Sequence, residues 1–255
     1  MAEYNKPLSP SSITTYIGCG YQFYLKYIKG IKFESGDAAA LGSSVHKVNE
    51  MFWPEYKKNP NIIEAMNASI NTYWDRKVGE EYTDAAHTCL NNFMAIVGEN
   101  PTIVPLYTEL RCENPVNNTV AIIDTVFPSR IVDYKTSTQY TQKPKQPNII
   151  QAVICSQNLK ECFGLDIPKV EYWYLRFHKY QFVNVTSELI EEINQIIKQV
   201  RKDISNDKFP KNEKSCFFCD YSLICRAEKK ALEKHNKKIE VKSCKQYLNH
   251  VQLQL

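Results

Sequence analysis

The chain has 255 residues, 43% of them hydrophobic, which suits one large domain or a domain with an appendage. Its formal net charge is only +4, with 24% charged residues, which excludes a strong whole-protein attraction to nucleic acid; any basic footprint must be local. No stretch approaches the roughly 18 apolar residues of a membrane helix, and the polar start MAEYNKPLSPSS lacks a secretory apolar run. The expectation is a soluble, cytoplasmic protein with no membrane association. Nine cysteines in such a chain are buried thiols or metal ligands. The 16 tyrosines mostly fill cores, although tyrosine also stacks on bases.

Residues 1–100 read as helical. Ser9 before Pro10 is a helix start, with Ser as N-cap and Pro in the first turn. Ile13, Tyr16 and Ile17, then Tyr24, Tyr27 and Ile28, recur at helical spacing, and Gly30 is a stop. Further helices are predicted at about Leu41–Tyr56, Ile62–Val78 and Ala85–Val97. Stretches rich in Val, Ile and Thr then predict strands at Ile103–Cys112, Thr119–Phe127 and Arg130–Tyr134. A helix at Asn148–Phe163, strands at Val170–Phe177 and Tyr180–Val185, and an amphipathic helix at Glu188–Ile204 follow. This order indicates an α/β or α+β core, a mixed sheet flanked by helices. Residues 208–245 carry eleven Lys/Arg against five Asp/Glu. Residues 226–255 read as a basic helix, a mobile tail or a partner-binding segment.

The segment AIIDTVFPSRIVDYKTS carries the chemistry. With Phe127 and Arg130 flanking the turn, Asp124 stands directly opposite Asp133, their Cβ atoms about 4.5–5.5 Å apart. Two carboxylates that close on an apolar hairpin repel, so they need a proton or a divalent cation between them. Pro-Ser is not a favoured two-residue turn, and a four-residue loop keeps the same register. Lys135, two residues after Asp133, shares its face, while Tyr134 points away. Such a set can hold Mg²⁺ or Mn²⁺, orient a water and stabilise charge on a phosphate; a surface Asp–Lys hairpin is the bland alternative. Glu109 on the preceding strand offers a third carboxylate or merely an exposed charge.

At these residues the chain resembles the PD-(D/E)XK nuclease superfamily, in particular its RecB-like exonuclease branch, which includes the CRISPR-adaptation nucleases. Ile123-Asp124 stands at the first aspartate and Asp133-Tyr134-Lys135 at the D/E-x-K element. Gln151 stands at the glutamine opening the next helix, Gly42 and His46 match a G-x-x-x-H helix, and Cys19 falls at the cysteine of the N-terminal element. The resemblance covers roughly residues 8–226. It departs at Gly20 (usually Pro), Ala121 (usually Gly), Thr125 (usually Arg) and Cys155 (usually Tyr). It implies an α/β, restriction-endonuclease-like core and metal-dependent hydrolysis of DNA, commonly at the ends of single strands. The implied site is Asp124, Asp133, Lys135 and Gln151, with His46, Asp124 and Asp133 on the metal.

Near the end, Cys216, Cys219 and Cys225 form C-x₂-C-x₅-C. With Cys19 as the natural fourth ligand, four thiolates can hold Zn²⁺ or an iron–sulfur cluster. One pair plus two singles suits the cluster better than zinc, and the resemblance implies 4Fe–4S in a structural role. The implied organisation is a helical region 1–100, a nuclease core 101–207, a cluster segment 208–226 and a basic extension 227–255 open to a protein partner. YQFYLKYIKGIK, with Lys26, Lys29 and Lys32, and the trio Arg176, His178 and Lys179 are candidate contacts for single-stranded DNA. The rival readings are a non-catalytic DNA-binding or assembly subunit and a zinc-stapled regulatory module.

Overall fold

The computed structural model describes residues 4–33, 36–75, 78–99, 104–217 and 219–226. The basic extension 227–255 and Cys244 lie outside the described residues. The chain divides into two compact units. The first comprises residues 1–14 and 34–205, the second residues 15–33 and 206–255.

The first unit opens on helix α1 (Pro10–Gly18), inside which the division between units falls. Ser9 caps it: its Oγ accepts from Ser12 N at 3.1 Å, and Ser12 Oγ accepts from Ser9 N at 2.9 Å. Helices α3 (Asp37–Lys58), α4 (Ile62–Tyr73) and α5 (Thr83–Gly98) come next among the elements of this unit. Helix α3 extends beyond the predicted Leu41–Tyr56 at both ends. Pro54 lies inside it, in the last turn and a half, where it removes one hydrogen bond from the helix ladder. Helix α4 stops short of the predicted Val78 because Trp74 turns to extended backbone.

Five strands form one mixed sheet in the order β1-β2-β3-β4-β5: Tyr107–Asn114, Thr119–Phe127, Arg130–Lys135, Lys169–Tyr174 and Lys179–Asn184. All neighbours are antiparallel except β3 and β4, which are parallel and joined through helix α6 (Gln146–Phe163). That one parallel pair requires a crossover, and the helix supplies it. Helix α7 (Ser187–Ser205) follows, burying Ile193, Ile197, Val200 and Ile204 at helical spacing. The result is a restriction-endonuclease-like α/β fold. No helix among the described residues is long and apolar enough to cross a membrane.

The helices pack on opposite faces of the sheet. Leu41, Val45, Phe52 and Trp53 of α3 and Phe93 of α5 meet Phe127, Tyr134, Trp173 and Leu175 of and beside the strands. Helix α6 covers β1 and β2 with Ile150, Val153, Ile154 and Leu159. Tyr134 is the polar element of the first core: its hydroxyl lies 2.6 Å from Thr125 Oγ1 and accepts from Trp53 Nε1 at 3.2 Å.

The second unit holds a short helix α2 (Gly20–Phe23) that widens into a π turn at Tyr24–Ile28, then Gly30 at φ +69°. The left-handed backbone there makes glycine the natural terminator. A small core of Leu25, Tyr221 and Ile224 joins this segment to the C-terminal one, and Tyr221 donates to Ile31 O at 2.8 Å.

Phe93 is fully buried and packs against the rings of Phe52, Trp53, Tyr134 and Trp173. Phe93→Ala should therefore destabilise the first unit by about 3–5 kcal/mol in chemical denaturation monitored by tryptophan fluorescence.

Candidate active site

The β2–β3 hairpin pairs Phe127 with Arg130, Val126 with Ile131 and Thr125 with Val132, so the predicted register holds. Pro128 and Ser129 form a two-residue turn in which neither takes a positive φ. A turn without primed geometry splays its strands. The ladder stops after Thr125, and in place of a backbone carbonyl the carboxylate of Asp124 accepts from Tyr134 N at 2.7 Å. Asp124 thereby spans the fork where the strands part, and it is only 8% exposed.

His46 reaches the same fork from α3, its Nδ1 3.2 Å from Asp124 Oδ2. Gly42, one turn earlier, permits this approach: a Cβ there would lie 3.3 Å from Thr136 Oγ1. Glu109 completes the group from β1. Flanking pairs Thr108–Thr125 and Leu110–Ile123 set Glu109 across from Asp124, and its backbone is left-handed at φ +46°. A non-glycine residue held so costs on the order of 1–3 kcal/mol, a strain that concentrates at functional sites. Ligand atoms of His46, Glu109 and Asp124 all lie within 4.8 Å of one another. They open into a cleft also lined by Lys47, Glu50 and Ile122. One imidazole and two carboxylates are a donor set that suits a hard or borderline divalent cation.

Asp133 lies on the other side of the fork and is engaged differently. Its Oδ1 accepts from Gln151 Nε2 of α6 at 2.5 Å, and its Oδ2 faces Lys135 Nζ at 2.6 Å. The second contact meets ion-pair distance without hydrogen-bond alignment. Lys135 closes the ring by donating to Gln151 Oε1 at 3.0 Å, and its ammonium lies 5.0 Å from the centre of the Tyr172 ring. The sequence-derived residues Asp124, Asp133, Lys135, Gln151 and His46 are thus brought together as two adjoining groups. One is His46–Asp124 with Glu109; the other is Asp133–Lys135–Gln151.

The charges answer one another. Burial opposes a charged His46, but Asp124, with Asp133 and Glu109 behind it, outweighs burial and raises its pKa from 6.5 to about 9. Burial, reinforced by Asp124, pushes the Glu109 carboxyl up. Burial also pushes Asp133 up, against the pull of Lys135. Lys135 is lowered by burial and raised more by Asp133, so it keeps its proton.

Glu50, one turn beyond His46 on α3, was not singled out from the sequence; the i, i+4 spacing from His46 was the available signal. The departures from the expected pattern also find places. Thr125 is fully buried and faces Tyr134, so the position after the first aspartate serves the core. Cys155 is buried beneath the site, where burial pushes its thiol up. Gly20 is closely packed: a Cβ there would meet Pro210 Cδ at 2.6 Å.

A profile of the PD-(D/E)XK nuclease superfamily matches residues 7–226. The chain belongs to the PD-(D/E)XK nuclease superfamily. Superfamily membership implies metal-dependent nuclease activity, and members typically use Mg²⁺ or Mn²⁺. The His46–Glu109–Asp124 group fits that requirement on its donor chemistry and spacing. No curated protein matches the chain by sequence.

In the second unit, Cys19, Cys216, Cys219 and Cys225 line one cavity of about 320 Å³ together with Asn212 and Ser222. All four are free thiols. Asn212 N points at Cys19 Sγ at 3.5 Å, and Asn212 Nδ2 donates to Gly18 O at 2.9 Å. In the YQFYLKYIKGIK segment the aromatic rings and cations meet each other: Tyr21 stacks on Tyr24, and Lys26 and Lys29 lie over Tyr27 and Tyr24.

A raised His46 pKa contributes stability that is complete below about pH 6.5 and lost as pH rises through about 9. In chelator, the gap in melting temperature between the PD-(D/E)XK protein and its His46→Ala variant should therefore shrink from pH 6 to pH 9. A gap that widens over this window would refute the assigned proton.

Proposed function

We propose that this protein is a metal-dependent DNA nuclease of the RecB-like branch, acting as an exonuclease on single-stranded ends and carrying a structural 4Fe–4S cluster. The observation that carries the nuclease reading is the meeting of His46, Glu109 and Asp124 beside the Asp133–Lys135–Gln151 ring. Asp124 and His46 would hold the cation with Glu109, and Asp133 in the adjoining group would be a further ligand. A divalent cation bound there would neutralise charge on the scissile phosphate and make an attacking water more acidic.

The remaining steps belong to the protein's own side chains. Lys135 keeps its proton beside Asp133 and presents an ammonium to the phosphate oxygens, stabilising the charge that grows as the phosphorus–oxygen bond breaks. Gln151 offers both an amide donor and an acceptor, which fix the orientation of Asp133 and Lys135 and position the water. Tyr172, under the lysine, confines the ammonium to one side.

The cluster reading rests on the C-x₂-C-x₅-C spacing and on the four thiols sharing one cavity. Cys19, Cys216, Cys219 and Cys225 would ligate it. It would tie residues 15–33 to residues 206–226 within the second unit, whose own hydrophobic core is small.

Asp124→Ala should abolish release of labelled nucleotides from single-stranded DNA in Mg²⁺ or Mn²⁺ while the chain still folds, its circular dichroism spectrum unchanged and its melting temperature lowered by loss of the Tyr134 and His46 contacts. Lys135→Ala should lower kcat by about a hundred- to a thousandfold. Undiminished cleavage by Asp124→Ala would refute the site, and no metal-activated cleavage by the unaltered chain would leave the alternative of a DNA-binding or assembly subunit. Protein purified without oxygen should be brown and hold about four iron and four sulfide per chain. A colourless protein with one zinc would overturn the cluster, and Cys19→Ser should bleach it if the reading is correct.

A further inference from the structure

Beyond Lys135 the sheet carries a second feature that the hydrolytic groups leave unused. The loop from Thr136 to Lys145 and the β4–β5 turn from Leu175 to His178 lie side by side. Between them they contribute Lys143, Lys145 and Arg176, with Lys179 following at the start of β5. Neither the loop nor the stretch Leu175–Phe182 contains an Asp or Glu.

The patch begins next to the lysine. Arg176 Nε donates to the carbonyl of Thr136, the residue after Lys135, at 2.7 Å. Tyr174 pairs with Lys135 across β3–β4, and the Tyr140 ring packs edge-on against Tyr174 at 5.2 Å. Phe177 lies in the turn 6.2 Å from Tyr140 and is 39% exposed. Lys179 sits over the Tyr140 ring at 5.3 Å.

The surface is built rather than incidental. Gln181, 1% exposed, donates to the carbonyls of both Thr141 and Lys143 and so clamps the loop from beneath. Tyr140 OH donates to Tyr180 O at 3.3 Å. His178, left-handed at φ +49°, fixes the turn, and Glu99 holds its Nε2 at 2.8 Å and takes the Tyr180 hydroxyl at 2.8 Å. Glu99 is the acid that faces this turn, and these two partners occupy both its oxygens.

We propose that Phe177, backed by Tyr140, is a base-stacking subsite for single-stranded DNA, and that Lys179 and Arg176 hold the phosphates of the nucleotides stacked there. An exposed aromatic face flanked by cations, its one facing acid Glu99 engaged by His178 and Tyr180, matches an unpaired strand, whose bases are open to stack and whose backbone is anionic. A duplex keeps its bases inside and cannot use the face. The subsite rests on the proposed nuclease function for its direction from Lys135, but its binding can be measured without cleavage.

The test uses the full chain in chelator, where no strand is cut. Fluorescence anisotropy compares a labelled short oligothymidylate with a strand of equal length made of abasic units, which carries the same charge and no bases. The protein should bind the thymidylate at least about fivefold more tightly. Phe177→Ala should erase that preference and leave abasic binding unchanged, and Phe177→Trp should restore it. Lys179→Gln should weaken both strands and reduce the slope of log affinity against log salt by about 0.7. Equal binding of the two strands, no binding of either, or a Phe177→Ala variant that keeps the preference would each overturn the subsite. Loss of the nuclease function would show separately, in the Asp124→Ala cleavage assay.

Discussion

Burying a carboxylate away from water costs several kcal/mol unless its charge is met. At the candidate site this chain buries two, Asp124 and Asp133, on neighbouring strands of an apolar sheet. The surrounding side chains are arranged around that repulsion. Asp124 is met by a backbone N–H at the strand fork and by His46 from a helix on one side. Asp133 is met by Lys135 from its own strand and by Gln151 from a helix on the other. The two negative charges have been separated into two neighbourhoods of opposite character, one suited to a cation and one already supplied with an ammonium.

That separation has a chemical meaning. A nuclease must hold positive charge against a phosphate and also place a proton-bearing group near the attacking water. Lys135 gives a fixed positive charge at one pole. The other pole carries a proton on His46 that a divalent cation can displace, since imidazole must be neutral to ligate. A proton and a cation at this group would therefore compete for the same carboxylates.

Much of this was legible in the sequence because it is local. Hairpin register follows from counting outward from Pro128-Ser129, and the common face of Asp133 and Lys135 follows from strand alternation. The strands β2 to β5 and helix α6 fall within a few residues of their predicted bounds because Val, Ile and Thr runs and helical spacing are strong there. What could not be read depends on how distant elements approach. Nothing in the sequence tells that the backbone at Glu109 turns left-handed, or that Asp124 takes the Tyr134 N–H and closes with Glu109 and His46 while Asp133 closes on Lys135. Nor could the fit of Gly20 against Pro210 be seen, since it joins residues 190 apart in the chain. In each case tertiary packing decides.

Tyr134 sits between Asp133 and Lys135, and its side chain is locked into the aromatic core by Thr125 and Trp53. Alternation along a strand makes the core and the candidate site two sides of one three-residue segment. Any local opening that frees the tyrosine also moves the aspartate and the lysine, because they share two peptide units. The chemistry has no flexible tether of its own, so heat should extinguish turnover and core packing in a single cooperative event.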